Sequence, residues 1–575
     1  MNTNQTTGYP SIDKPWLKYY SEEAINTPLP ECTIYEYLWK NNKDHLDDIA
    51  LNYFGKKITY SELFENVEKV AKGFSAIGVK EGDIVVIATV TTPETVYAVY
   101  ALNRIGAVAN MVDPRTSTEG IKEYLVEVDA NYALCIDVVY HKIEKAISET
   151  AVKKIIITSL IDSLSQSKKL IFNVVNKIKG AVPKFGNNCI TWTDMLTNGQ
   201  RSTYEVSLYR ADVCCVIQHT GGTTGLPKGV MLTNDNFNSA TEQIKNSPLR
   251  LKRQDRFLNI MPPFIAYGMV LGIHTALTQG WESIIIPKFE SKNFASLILK
   301  YQPAGIMGVP AYFEQLMDEP KINGKDLSFL KLVLVGGDKA LVEFEKKVNA
   351  FFPEHNTNIH LSKGYSMTEA SATATFAFEE INKPGSAGVP FAQTIVAAFD
   401  TESGNELPFG ESGEMCICTP TMMAGYYGNQ EETDKIIKKH SDGRMWIHSG
   451  DLGYVDEDGC VYINGRLKRM IIRYDGFKVF PTFIEDVVSM HKVVETCCAV
   501  GIPDKAHVQG YLPIIFAVLK DGCDPDAVKK ELFDFCQKEL PEYAQPVDFI
   551  FIEKMPLTPI GKVDYRTLEK ETEKL

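Results

Sequence analysis

The chain has 575 residues, 44% of them hydrophobic and 23% charged, a composition that can bury large cores and resembles neither disordered nor fibrous chains. At roughly 150 residues per domain this length implies about three to four compact units. Lys and Arg number 60 against 73 Asp and Glu, and the net charge of −13 repels polyanions and argues against nucleic acid as a partner.

The first ten residues are polar and lack a basic start followed by an apolar run, so no secretory signal is read. Residues 58–114 alternate strand-like and helix-like pieces: a strand over 84–88, a helix opened by Pro93 and running to 105, and a strand resuming at 106–109. This βαβ rhythm predicts a largely parallel sheet covered by helices, and it recurs at 281–310 and 332–337. Pro93, Glu94, Asn103 and Arg104 interrupt the apolar stretch 84–112, so it reads as soluble core and not as a membrane span. Residues 163–186 include the basic amphipathic run 168–179, either an ordinary surface helix or a helix lying on an anionic membrane surface. From 384 to 464 short alternating runs separated by Gly, Pro and Asp-Gly turns predict a small antiparallel β subdomain. Helices are expected at 483–491 and 526–540 with a strand at 514–519, beyond a domain boundary near 465–468. The twelve cysteines include Cys214/Cys215, Cys497/Cys498 and Cys416/Cys418 but no C-x-x-C, and they read as buried thiols of a cytoplasmic protein, with no metal assigned.

The strongest chemical signal follows the apolar run 213–217. Thr220, Gly221, Gly222, Thr223, Thr224 and Gly225 supply hydroxyls and backbone N–H groups able to curl around an anion, and Lys228 adds a positive charge. This is a phosphate cradle, although Gly229 follows the lysine where the common P-loop needs Ser or Thr. Further along come the Gly-rich turn Gly336, Gly337, Asp338 after a strand, then Tyr365-Ser366-Met367-Thr368-Glu369. Ser449-Gly450-Asp451, Gly465-Arg466-Leu467-Lys468 and the late Gly561-Lys562 complete the set. A carboxylate such as that of Asp451 can take two hydroxyl donors at once, which suits a vicinal diol.

These motifs, in this order and over nearly the whole chain, resemble the adenylate-forming superfamily of acyl- and aryl-CoA ligases, amino-acid adenylation domains and beetle luciferases. The resemblance implies an α/β fold: a large N-terminal domain of helix-covered mixed β-sheets over 1–466, including the β subdomain 384–464, and a small mobile α+β C-terminal domain over 467–575. It implies that Gly336, Gly337 and Asp338 form an adenine slot, Tyr365 stacks on adenine, Thr368 bonds the α-phosphate and Glu369 holds Mg²⁺. Asp451 would accept the ribose hydroxyls, Arg466 would bind ribose or phosphate, Lys468 would be the hinge, and Lys562 the catalytic lysine. Ser366 and Ser449 stand where the family has Gly and Thr, and Asn234 and Asp235 where His and a basic residue are frequent. One extra residue between Arg466 and Gly476 leaves Arg473, Tyr474 and Lys478 unmatched.

The implied reaction converts a small-molecule carboxylic acid and ATP to acyl-AMP and pyrophosphate, then transfers the acyl group to coenzyme A. Transfer to a carrier-protein phosphopantetheine is the alternative, and a silent nucleotide binder is disfavoured because such a protein has no use for Lys562. Phe264, Ile265, Tyr267 and Gly308 are taken to line the acyl pocket. Amino-acid-activating relatives place Asp where this chain has Ile265, and an ammonium buried without that partner would lose several kcal/mol, roughly. The basic 168–179 segment resembles, in position and texture, one of long-chain fatty acyl-CoA ligases, and with the Thr-Gly-Gly form of the loop this resemblance favours a medium- or long-chain fatty acid. A peripheral contact with the inner membrane face through 163–186 is compatible, and the oligomeric state stays open.

Overall fold

The computed structural model describes residues 6–165, 185–220, 228–475, 477–507, 510–558 and 562–572. The basic run 168–179 and the cradle residues Gly221, Gly222, Thr223, Thr224 and Gly225 therefore lie outside the described residues.

The predicted βαβ rhythm builds the first sheet. Ile84–Ala88 pairs in parallel with Val108–Met111 on one side and Tyr132–Ile136 on the other, with the helix Pro93–Ile105 as crossover. That helix has the local signals its sequence announces: Thr92 caps its N-terminus, proline occupies the first turn, and Gly106 ends it at φ +81°. Cys214–His219 extends the parallel run, and Gly229–Thr233 turns back antiparallel against it.

A second sheet runs parallel through Ile49–Tyr53, Glu282–Ile285, Arg256–Asn259, Gly305–Gly308, Leu332–Val335 and Leu361–Lys363. Only its edge strand Lys56–Thr59 is antiparallel. Strands such as Leu332–Val335 are buried throughout, as expected where helices cover both faces.

The third sheet is the antiparallel one, in which Met445–Val455 is the long central strand. It pairs with Gly413–Cys418, Ile437–Lys439 and Val461–Arg466. The segment 384–464 is not wholly contained in it. Gly425–Tyr426 leaves to pair with Gly229–Thr233 in the first sheet, and Val389–Pro390 pairs with Thr375–Phe376. Strand spacing reveals alternation but not the partner, and Gly425, at φ +143°, takes a backbone conformation that favours glycine.

After Arg466, Val494–Pro503 and Tyr511–Leu519 form an antiparallel pair joined in parallel by Asp548–Phe551. Helices Pro481–Ser489 and Pro525–Glu539 cover it around a core that includes Ile484, Val488, Ile515 and Leu532. All twelve cysteines are free thiols. No helix among the described residues is long and apolar enough to cross a membrane.

Candidate active site

Three of the motif segments and two segments at the expected acyl pocket leave the C-terminal ends of parallel strands, where open α/β sheets bind ligands. Thr220 follows Cys214–His219, 264–267 follows Arg256–Asn259, Val309 follows Gly305–Gly308, 336–338 follows Leu332–Val335, and Tyr365 follows Leu361–Lys363. They open on one cleft of about 1710 Å³, which the third sheet and the C-terminal domain complete.

At the described base of the cradle, Thr220 N–H donates to the Lys228 carbonyl at 3.1 Å, and Lys228 N–H donates to Thr220 Oγ1 at 3.2 Å. The Lys228 ammonium pairs with Glu432 and lies 4.8 Å from the centroid of the Tyr426 ring. The Tyr426 hydroxyl in turn donates to Glu369 at 2.6 Å. Thr368 and Glu369 form a 3₁₀ turn followed by Ser371 and Ala372 at φ +52° and +56°, a strained pair of non-glycine residues. Bonds from Ser371 Oγ to the Thr421 carbonyl (2.9 Å) and from Met423 N–H to the Glu369 carbonyl (2.8 Å) hold this geometry. Burial raises the Glu369 carboxyl pKa, and the Tyr426 hydroxyl opposes the shift. Glu369 borders the cleft, and its carboxylate oxygens have the chemistry a hard cation such as Mg²⁺ takes.

Tyr365, Asp451 and Arg466 come from three separate motifs and meet in one group. The Tyr365 hydroxyl donates to Asp451 Oδ2 at 2.6 Å, and Arg466 Nε lies 2.6 Å from Asp451 Oδ1. The strand carrying Asp451 bulges between His448 and Leu452, because its pairing with Gly413–Cys418 shifts register there. Glu414 spans the bulge, accepting Gly450 N–H at 3.1 Å and lying 2.8 Å from His448 Nδ1. Burial raises the Asp451 carboxyl pKa, and Arg466 and Tyr365 oppose it. Behind Tyr365, the buried pair Lys363–Glu345 (2.7 Å) anchors the end of the strand.

A Cβ added to Gly336 would meet the Tyr267 ring at 3.4 Å, so the Gly-rich turn and the expected acyl pocket adjoin. Phe264, Ile265 and Tyr267 line the cleft; Gly308 does not. An added Gly308 Cβ would face Tyr312 and Phe313 at 3.3 and 3.1 Å, and Val309 is the residue that reaches the cleft. This follows from strand geometry, since neighbouring positions face opposite sides. Tyr267 begins a wide helix, Tyr267–Thr275, from which Leu271 also lines the cleft. Leu271 belongs with Ile244, Leu249, Phe376 and Phe391 to one apolar cluster bordering the same cavity.

Lys562 comes from the C-terminal domain, on a short turn closed by the Leu557–Val563 bridge. Its Cε lies 3.8 Å from where a Cβ on Gly337 would stand, and the next residue directs its N–H toward Asp338 Oδ2 at 3.4 Å. Burial lowers the Lys562 ammonium pKa, opposed by the charge of Asp338. Lys339 and Asp486 add an ion pair across the same interface at 2.6 Å. Lys468 lies in the 3₁₀ turn Leu467–Arg469 at the cleft edge. Its neighbour Arg469 is fastened to the C-terminal domain through Glu485 (2.9 Å) and the Ala499 carbonyl (3.1 Å).

Tyr426, Glu432, Lys339 and Asp486 belong to no motif read from the sequence. Their partners are distant in the chain, 204 residues away for Glu432 and 147 for Asp486, and no local spacing signals such contacts.

The sequence profile of the AMP-binding enzyme family matches residues 38–427, and that of the AMP-binding enzyme C-terminal domain matches 484–562. The chain belongs to the AMP-binding enzyme family. The long-chain-fatty-acid–CoA ligase of Bacillus subtilis is 30% identical to this AMP-binding enzyme over 568 residues, covering 97% of this chain and 98% of its own. The probable 4-coumarate–CoA ligase 1 of Dictyostelium discoideum is 29% identical over 557 residues, 96% of this chain and 97% of its own. Among solved structures, the anthranilate CoA ligase AuaEII in complex with anthranoyl-AMP has a TM-score of 0.82 at 19% identity, covering 96% of this chain and 99% of that one. ATP-bound MatB from Rhodopseudomonas palustris has a TM-score of 0.80 at 22% identity, covering 93% and 98%. At these identities the solved structures establish that the AMP-binding enzyme described here shares their fold.

Proposed function

We propose that this AMP-binding enzyme joins a medium- or long-chain fatty acid to coenzyme A at the expense of ATP, through an acyl-AMP intermediate. The observation that carries the reading is the delivery of Lys562 by the C-terminal domain to the Gly337–Asp338 turn. The same cleft holds Lys228 and Glu369, and an apolar group extends beyond Tyr267. The long-chain-fatty-acid–CoA ligase relatives support the acyl class.

The substrate carboxylate oxygen attacks the α-phosphorus of ATP, the bond to the β-phosphate breaks, and pyrophosphate leaves. In this reading Lys228, with the cradle, offsets the phosphate charge. Lys562 bonds the carboxylate and phosphate oxygens where negative charge accumulates. Asp451 takes the ribose hydroxyls in the space where Tyr365 and Arg466 now hold it. Glu369, with Thr368 beside it, would hold Mg²⁺, which when bound supplies positive charge to the phosphate oxygens. The C-terminal domain then turns about Lys468 and withdraws Lys562. The thiol of coenzyme A attacks the acyl carbon as its proton is lost, the carbon–oxygen bond to AMP breaks, and AMP departs.

The test is acid-dependent pyrophosphate release and hydroxylamine trapping across straight-chain acids, with and without coenzyme A, in wild type and Lys562→Ala. Wild type should show chain-length-dependent turnover that rises with coenzyme A. Lys562→Ala should lose adenylate formation yet still make thioester from supplied acyl-AMP. Trapped adenylate with no effect of coenzyme A would point to a carrier-protein acceptor, and undiminished adenylation in the variant would remove Lys562 from the mechanism.

A further inference from the structure

Lys228 is paired with a carboxylate at the edge of the cleft. Its partner Glu432 sits in the first turn of the helix Gln430–Ile436, whose cap residue Asn429 accepts the Glu432 N–H at 3.0 Å. The backbone of Glu432 is thus fixed by its own helix, through a bond that does not involve the lysine. One oxygen, Oε2, meets Lys228, and the other, Oε1, lies 2.6 Å from Lys435 Nζ, one turn further along. Lys435 also pairs with Glu431 at 2.8 Å. The two ammoniums bring the Glu432 carboxyl pKa down to about 2, so the group is ionised at neutral pH.

A carboxylate on this lysine offers the acceptors and the negative charge that a phosphate would offer. We propose that Glu432 is a resident counter-ion of Lys228, displaced when the polyphosphate of a nucleotide enters and re-paired when pyrophosphate leaves. The proposal rests on the reading of Lys228 as a phosphate ligand.

The surroundings favour exchange over a permanent brace. A carboxylate losing its only cation in a half-buried site pays a desolvation cost with no return. Lys435 removes that difficulty, because it lies 2.6 Å from the other Glu432 oxygen, Oε1, through a contact that does not involve Lys228. Tyr426 offers its ring face to the ammonium, 4.8 Å away, and that contact does not require Glu432. Glu432 therefore acts as a positioning residue: it holds the lysine at the cleft and would compete with phosphate for it.

The test measures the Kd of ATP and of inorganic pyrophosphate by calorimetry on the full chain, in Mg²⁺ buffer without carboxylic acid. Glu432→Gln keeps the shape and removes the charge, and it should tighten both ligands by about two- to fivefold, the range of a partly exposed ion pair. Lys435→Ala should weaken both by a similar factor, because departure of Lys228 then strands Glu432. Adding Lys435→Ala to Glu432→Gln should change nothing, and Glu432→Gln should be silent in a Lys228→Ala background. Weaker or unchanged ATP binding in Glu432→Gln, with Lys228→Ala still weakening it, overturns the exchange and leaves Glu432 as a brace while the phosphate role of Lys228 stands. Unchanged ATP binding in Lys228→Ala removes the phosphate reading and the proposal together.

Discussion

Glu94, in the first turn of the helix Pro93–Ile105, is only 1% exposed. The Ser163 hydroxyl donates to one of its oxygens, and the other has no hydrogen-bond partner among the described residues. Burial pushes its carboxyl pKa up to about 7. An unfolded glutamate titrates near 4.3, so between the two values the folded chain binds a proton that the unfolded chain has released. Stability from this group is complete below the unfolded pKa and is lost as pH rises through about 7, at a cost of about 4 kcal/mol. Glu94→Gln should therefore unfold at a higher denaturant concentration than wild type at pH 8.5, with the difference shrinking toward pH 5.5. A pH-independent difference would refute the assignment. The interruption of an apolar stretch by Glu94 was visible in the sequence, but the depth of its burial depends on Ser163, 69 residues away, and was not.

At the scale of elements, the wide helix Tyr267–Thr275 borders the cavity assigned to the acyl tail in the proposed reaction. Leu271 stands one helical turn beyond Tyr267 among Ile244, Leu249 and Phe391. Leu271→Trp should shorten the preferred acyl chain, since each methylene excluded forfeits about 0.8 kcal/mol, roughly fourfold in relative kcat/KM. An unchanged chain-length profile would place the acyl tail elsewhere. Most of this architecture was legible in advance, because the βαβ rhythm of 84–109 and the turns of 384–464 follow from local periodicity. Tyr365, Asp451 and Arg466 could likewise be named one by one, while their union around a single carboxylate is a product of strand order. Gly308 was misplaced by one residue, because a sequence does not say which face of a buried strand looks into a cavity. The excursion of Gly425–Tyr426 into the first sheet was equally silent, and with it the link from Tyr426 to Glu369 and Lys228.

Across the whole molecule, the polar contacts between the two domains among the described residues include Lys339–Asp486, a half-buried ion pair. It stands beside the Asp338–Val563 contact, so it favours the arrangement in which Lys562 is inside the cleft. Lys339→Glu should slow acid-dependent pyrophosphate release several-fold while sparing thioester formation from supplied acyl-AMP. Lys339→Glu combined with Asp486→Lys should recover most of the loss. Equal slowing of both half-reactions, or no recovery in the double variant, would show that the pair does not bias domain position.

The second sheet has a further consequence, for synthesis. Its strand Ile49–Tyr53 is made early, yet its parallel neighbour is Glu282–Ile285, with Leu51 opposite Ser283. All of the first sheet except Gly425–Tyr426 is translated in the interval. At about 5–20 residues per second, the hairpin of Ile49–Tyr53 and Lys56–Thr59 waits on the order of ten to fifty seconds with one apolar edge uncovered. A nascent chain stalled before residue 282 should therefore bind hydrophobic-strand chaperones that release it once that strand has left the ribosome.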